Sequence, residues 1–355
     1  MNRKSDRMAD IARRLGVSKS TVSRSLSDSP EIGKATKARV LAEARAVGYA
    51  VNPLASALKT RRGRILLVLV PRIENFLFPM LLRTIERAAS EMEYTLMIGY
   101  VAGDSRTDDR LLDFMYSGAA DGVIIATGFA PDTLAERLDR GEMWPAAFVM
   151  TPGARNDIPS IALDDYGAGR EVYRRLRAEG YKRIGMVSGA SGPTAVGQLR
   201  RNAFIEAAVE DGAAREDLVI FDGSFRYETG WNAREFIAKA SDRLDAVICG
   251  SDEIAFGLIN GLRSLGVSVP RDLAVAGFDD ILFARHFSPS LTTVRQPIEE
   301  MGRLAVAKIV EMVERKSWSA TEMLGFEVVM RESAPAGGGE ATPPERSHKI
   351  SAPRR

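Results

Sequence analysis

From residue 65 to residue 277 the chain alternates short apolar runs with longer stretches of helical period, which limits the folds open to it. The apolar runs cover residues 65–70, 95–100, 122–126, 146–150 and 160–163, then 183–188, 218–221, 246–249 and 273–277. Helical patterns lie between them, such as 80–92, 167–179, 202–211 and 253–265. A strand, a helix and a further strand in succession predict parallel pairing, because a parallel neighbour is reached only through a crossover. The two series predict an α/β core of two doubly wound parallel-sheet subdomains, with ligands at the carboxyl ends of the strands.

A chain of 355 residues needs two or three domains. With 45% hydrophobic and 27% charged residues it is neither a wholly disordered chain, a collagen-like repeat nor a disulfide scaffold. The single cysteine, Cys249, has no partner within the chain, so a reducing cytoplasm is the expected compartment. With it, only His286 and His348 offer soft or imidazole ligands, and no metal site or cofactor is expected. The most apolar run, six residues at 65–70, falls far short of the roughly 20 that a membrane helix needs. The basic start MNRKSDR is not followed by the apolar core of a signal peptide. No membrane partner is expected.

The net charge of +2 conceals an asymmetry. Residues 1–64 hold 15 Lys+Arg and 5 Asp+Glu; the remainder holds 34 and 42. A basic head on an acidic body points to a polyanion as the head's partner, though a solvated basic tail would carry the same charge.

The residue pattern of the head is more specific. In MADIARRLGVSKSTVSRSLS, residues 8–27, Ile11, Ala12 and Leu15 fall on one helical face. Gly16 breaks the helix, since glycine tolerates the positive φ of a tight turn. Ser18 is a good N-cap for a second helix, which carries Val22 and Leu26 inward. A small residue at Ala12, a glycine four later and Val22 six beyond that form the pattern of a helix-turn-helix. The second helix presents Lys19, Ser20, Thr21, Ser23 and Arg24, short polar and cationic groups able to reach base edges and phosphates in a major groove. A third helix is expected over 34–47, with Val40, Leu41, Ala44 and Val47 inward and Gly48 ending it.

The motifs VSKSTVSR (Val17 to Arg24) and GYAVNPLASAL (Gly48 to Leu58), followed by the two-part core, resemble the lactose/galactose repressor (LacI/GalR) family of bacterial transcriptional regulators. The resemblance runs to about residue 333. It implies a helix-turn-helix domain over 1–50, a hinge helix and linker over 51–63, and an effector-binding and dimerisation core over 64–333. The core has the periplasmic-binding-protein fold, one subdomain being about 64–163 plus 295–320 and the other 164–292 plus 321–333. The Gly-, Pro- and charge-rich stretch 334–355 reads as a disordered tail. It holds no leucine heptads, so a homodimer rather than a tetramer is expected. In the family the hinge folds on operator DNA, and a leucine matching Leu58 wedges into the minor groove. Six or so residues cannot hold a helix alone in water, and a plain linker is the alternative. Ser18, Lys19, Ser20, Thr21, Ser23, Arg24, Asn52, Leu58 and Lys59 are the expected contacts to double-stranded operator DNA.

Effector contacts implied by the resemblance are Asp164, Arg200 (in the R-x-x-x-F setting Arg200 to Phe204), Phe225, Asp279 in GFDD, and Gln296. Phe78 is the aromatic expected from the first subdomain. Asp164, Arg200, Phe225 and Asp279 follow the apolar runs 160–163, 183–188, 218–221 and 273–277, and Gln296 lies in LTTVRQP, 17 residues after Asp279; carboxylates, an arginine and an aromatic ring there suit a sugar. Ser251 is a further candidate, standing where the family has Asn, which changes reach into the cleft. Asp252 reads either as a site residue or as the N-cap of the next helix.

The expected function is a DNA-binding transcriptional regulator, a repressor controlled by a sugar or sugar derivative. The alternatives are a transport-type sugar-binding protein without DNA function and a co-repressor-dependent regulator sensing a nucleobase. Gly189, Gly192 and Gly197 only faintly echo a phosphate loop, Cys249 lies inside an apolar strand, and no catalytic constellation or enzyme is read from the sequence.

Overall fold

The computed structural model describes residues 3–26, 29–49, 63–71, 76–101, 111, 113, 115–127, 132–142, 144–153, 155, 157–190, 195–315 and 320–338. The chain divides into two units, Met1–Ile65 with Asp113–Asp121, and Leu66–Leu112 with Gly122–Arg355.

The head of the first unit is a three-helix domain of α1 (Arg3–Leu15), α2 (Lys19–Leu26) and α3 (Lys34–Ala46). Ile11, Ala12, Val22, Val40 and Ala44 form its buried centre, with Leu15, Val17, Leu26, Val47 and Tyr49 packed around them. Gly16 takes φ +66° between α1 and α2, and the Val17 N–H returns to the Ala12 carbonyl at 3.0 Å. The chain thereby reverses within one residue, a closure that a side chain at residue 16 would strain. The Ser18 hydroxyl accepts the Thr21 N–H at 3.0 Å, so the expected N-cap of α2 is formed. Leu41 corrects the sequence reading: it is 42% exposed, because Val40 and Ala44 fix the inward stripe of α3 and Leu41 lies about 100° round the helix.

The larger unit holds two parallel sheets. The first has the order β11-β5-β4-β3-β1-β2, built from β1 (Ile65–Val70), β2 (Thr95–Tyr100), β3 (Gly122–Ile125), β4 (Ala146–Met150), β5 (Ser160–Leu163) and β11 (Glu322–Leu324). Its pairs β1–β3, β3–β4, β4–β5 and β5–β11 are parallel. The helices α4 (Leu77–Glu91), α5 (Asp132–Asp139) and α10 (Ile298–Arg315) belong to this half, and α4 packs on α10. The second sheet runs β7-β6-β8-β9, from β6 (Ile184–Ser188), β7 (Ile220–Asp222), β8 (Ala246–Cys249) and β9 (Ala274–Ala276), all parallel. Around it lie α6 (Asp165–Ala178), α7 (Ala195–Glu210), α8 (Tyr227–Lys239) and α9 (Asp252–Ser264). Strands buried on both faces read as unbroken apolar runs, which is why most of them were visible in the sequence.

The helices α8 and α9 cross almost in contact. A Cβ on Gly230 would lie 1.9 Å from the Ile254 carbonyl oxygen, and one on Gly257 2.0 Å from that of Tyr227. Glycine is required at both for the backbones to approach so closely.

Two segment boundaries differ from the sequence reading. Strand β11 pairs with β5, so 322–324 belong to the first sheet rather than the second subdomain; its three residues carry no alternation that would assign them. After it, β12 (Glu327–Val329) pairs antiparallel with β10 (Thr293–Arg295). The first residues of the expected disordered tail are packed: Ala334 is fully buried, Tyr181 donates to the Pro335 carbonyl at 3.2 Å, and the Gly337 N–H reaches Glu179 at 2.8 Å. Residues 339–355 lie outside the described residues.

Candidate functional site

The segments that follow β5, β7, β8 and β9 converge on one arginine. Arg200, on α7, is 6% exposed. Its Nε donates to one oxygen of Asp165, Oδ1, at 2.9 Å, and its Nη2 is ion-paired with the same oxygen at 2.8 Å. Its Nη1 donates to the Gly250 carbonyl at 2.7 Å and stands 3.6 Å from Asp279 Oδ1. The guanidinium lies 3.5 Å from the ring centroid of Phe278 and 5.6 Å from that of Phe225. Gln296 donates to Asp279 Oδ1 at 2.7 Å. Arg200, Phe225, Asp279 and Gln296, four of the expected effector contacts, therefore form one connected cluster.

Burial raises the carboxyls of both Asp165 and Asp279, and Arg200 draws each back towards the ionised form. The backbone of the GFDD turn is unusual. Asp279 has φ +130° and Asp280 φ +53°, a region that asparagine and aspartate enter more readily than other non-glycine residues. The turn is braced on both sides. Asp280 accepts from Arg295 at 2.7 Å and Arg331 at 2.6 Å, while the Asp279 N–H donates to the Val294 carbonyl at 2.8 Å.

Three other expected residues sit differently. Asp164 is exposed and caps α6, accepting the Gly167 N–H at 2.8 Å; it is Asp165 that reaches Arg200. Ser251 is fully buried and caps α9, accepting the Ile254 N–H at 3.3 Å. Asp252 is thus not the cap. Its carboxylate takes the Ile281 N–H at 2.9 Å and the Thr293 hydroxyl at 2.5 Å, tying α9 to the GFDD turn. Phe78 lies half-buried on the apolar core of the large unit.

Sequence reasoning missed Asp165, Phe278 and the Gly250 carbonyl. The Asp164-Asp165 doublet held a signal, because the first carboxylate after a strand is the one that caps the helix and the second is then free to turn inward. Nothing in the sequence distinguishes the carbonyl of Gly250. A separate depression of about 630 Å³, lined by Ile259, Arg263, Val269, Pro270, Pro289 and Pro335 among others, contains none of the expected effector residues.

In the head, Lys19, Ser20 and Arg24 are exposed and Thr21 and Ser23 half-buried along α2. Ser18 Oγ is 2.7 Å from Ser20 Oγ and 2.8 Å from Thr21 Oγ1. Arg24 Nη1 is paired with Glu31 at 2.8 Å. An exposed pair of this kind contributes about 0–1 kcal/mol, so a phosphate or base edge can displace it. Asn52, Leu58 and Lys59, with the rest of the hinge, lie outside the described residues. Among the described residues no helix is long and apolar enough to cross a membrane.

Two family models match the chain. The model for bacterial regulatory proteins of the lacI family covers residues 7–52, and that for a periplasmic binding protein-like domain covers 173–334. The HTH-type transcriptional regulator MalR of Streptomyces coelicolor is 31% identical over 343 residues, 94% of this chain and 98% of its own length. Among solved structures, the transcriptional regulator CelR–cellobiose complex is 26% identical with TM-score 0.68, covering 92% of this chain and 99% of its own. A LacI family transcriptional regulator from Enterococcus faecium with bound ribose is 25% identical with TM-score 0.68, covering 77% and 99%. With its helix-turn-helix head, its two-sheet core and these relatives, the chain belongs to the lacI family of bacterial regulatory proteins, and it is a DNA-binding transcriptional regulator rather than an enzyme.

Proposed function

We propose that the protein is a cytoplasmic repressor whose operator binding is controlled by a sugar or sugar derivative. The effector is held at Arg200, Phe225, Asp279 and Gln296, with Asp165 added from the geometry. The observation that carries this reading is a buried arginine flanked by two carboxylates at strand carboxyl ends, the position at which doubly wound folds bind ligands. The sugars held by two of the similar regulators, cellobiose and ribose, support the class. Operator contacts fall to Ser18, Lys19, Ser20, Thr21, Ser23 and Arg24 of the recognition helix, with Asn52, Leu58 and Lys59 from the hinge. The working state is a homodimer, for which two copies of the head supply two half-sites. Phe76, Leu282 and Phe283 support this: they are 53%, 60% and 48% exposed, and the two phenylalanine rings stand 5.1 Å apart, an apolar surface open to a second copy.

A mobility-shift assay of the purified protein on DNA upstream of its own gene, with and without a panel of sugars, tests the proposal. A sequence-specific complex whose amount changes with one sugar is expected. A complex unaffected by every sugar would remove the effector reading; the absence of any sequence-specific complex would remove the operator reading.

A further inference from the structure

The side chains around Arg200 specify more than a sugar in general. Arg200 is the charge that an anionic ligand would seek, and a carboxylate or phosphate binds a guanidinium best in a fork along the Nε–Nη2 edge. That edge is already taken by Asp165 Oδ1. Nη1 is engaged by the Gly250 carbonyl, and the guanidinium face is covered by Phe278. Asp165 and Asp279 place two carboxylates against this one cation. The remaining oxygen of Asp165, Oδ2, is buried and has no hydrogen-bond partner, although the side chain of Asp165 is only 1% exposed. A buried acceptor without a donor has given up its hydration with nothing in return, so such an atom beside the cluster marks where a donor belongs.

We propose that the effector is an uncharged polyhydroxylated compound, one hydroxyl of which donates to Asp165 Oδ2, and that Asp165 is a specificity-determining residue that excludes sugar acids and sugar phosphates. The proposal rests on the reading of this cluster as the effector site. A hydroxyl is suited to the position because it both donates and accepts: it supplies a hydrogen to Oδ2 and takes one of the guanidinium hydrogens left unused. A carboxylate or phosphate offers only acceptors at neutral pH, meets Oδ2 with no hydrogen to give, and must displace Asp165 to reach the Arg200 fork. Burial, which raises the carboxyls of Asp165 and Asp279, makes a donor to either more valuable.

The test uses the full-length protein and titration calorimetry with matched series: a neutral aldose, its aldonic acid and its 6-phosphate, repeated for several aldoses and disaccharides. In at least one series the neutral member binds, and it binds about 10- to 100-fold tighter than its acid or phosphate, the ratio that one charge-assisted hydrogen bond supplies. In Asp165→Asn the ratio narrows towards one. The comparison within the parent protein needs no variant, so a poorly folding Asp165→Asn leaves it decisive. An acid or phosphate that binds tighter than its neutral partner overturns the proposal while leaving the effector site where it is, as does a panel in which no neutral member binds. A neutral sugar that binds the parent and Asp279→Asn equally well removes the site reading itself.

Discussion

Arg200 does two jobs, and they separate by mutation. It neutralises Asp165 and Asp279, both buried, and in the proposal it faces the effector. Removing one partner of a buried ion pair typically costs about 3–5 kcal/mol, because the other charge is left uncompensated. Arg200→Ala is therefore expected to lower the unfolding free energy by several kcal/mol in urea melts, a loss that a solvent-exposed arginine would not produce. A melt within about 0.5 kcal/mol of the parent, the range of ordinary surface changes, would show that the cluster is not a structural unit. Asp252 carries a different signature. Burial pushes its carboxyl up to about 7, against the pull of the Thr293 hydroxyl and the Ile281 N–H. The folded value then exceeds the unfolded value of about 4, so the folded state holds the extra proton between these two pH values. The contribution of Asp252 to stability is accordingly greatest below about pH 4 and declines as pH rises to about 7. The difference in unfolding free energy between the parent and Asp252→Asn should shift against the parent across that window. Parallel pH profiles for the two proteins would contradict it.

At the scale of elements, the contact between α8 and α9 depends on the absence of two methyl groups. Gly230→Ala would bring a Cβ to within 1.9 Å of the Ile254 carbonyl, which a backbone cannot yield without the helix shifting. Overpacking of this kind costs about 1–3 kcal/mol, readable as a lowered denaturation midpoint at unchanged slope; no change would mean that the helices part without penalty. Elements were legible in the sequence where a run of mainly apolar residues is long enough to stand out from its surroundings. The runs 65–70, 95–100, 146–150, 160–163 and 246–249 became strands with those bounds. Where a segment is short and half-exposed, the pattern weakens: β7 begins at Ile220 rather than residue 218, after the turn Arg215–Asp217, and β11 and β12 were not read at all. The same limit held at the site. The carboxylates after each strand were visible, but which of two adjacent carboxylates caps a helix and which turns inward is decided by the helix start. That start lies at Asp165, two residues before the sequence reading.

At the scale of the whole molecule, the head and the body differ in charge. Residues 1–64 carry 15 Lys+Arg against 5 Asp+Glu, so a head that binds DNA releases condensed counterions. Operator affinity should fall steeply and linearly with the logarithm of salt concentration, and a slope near zero would contradict an electrostatic interface. In the proposed function, the Arg200 cluster in the core governs what the head does on DNA. Such a link requires the effector to favour one arrangement of the protein over another, with a coupling of about 1–3 kcal/mol, roughly 5- to 150-fold in operator affinity. The most direct measurement is operator affinity against effector concentration for the parent and for Asp279→Asn, a substitution that keeps the shape and the tolerance of the φ +130° turn while removing the charge. Asp279→Asn is expected to bind operator as the parent does in the absence of effector and to lose most of the response to it. A response with the parent's midpoint and amplitude would contradict the assignment of the effector site.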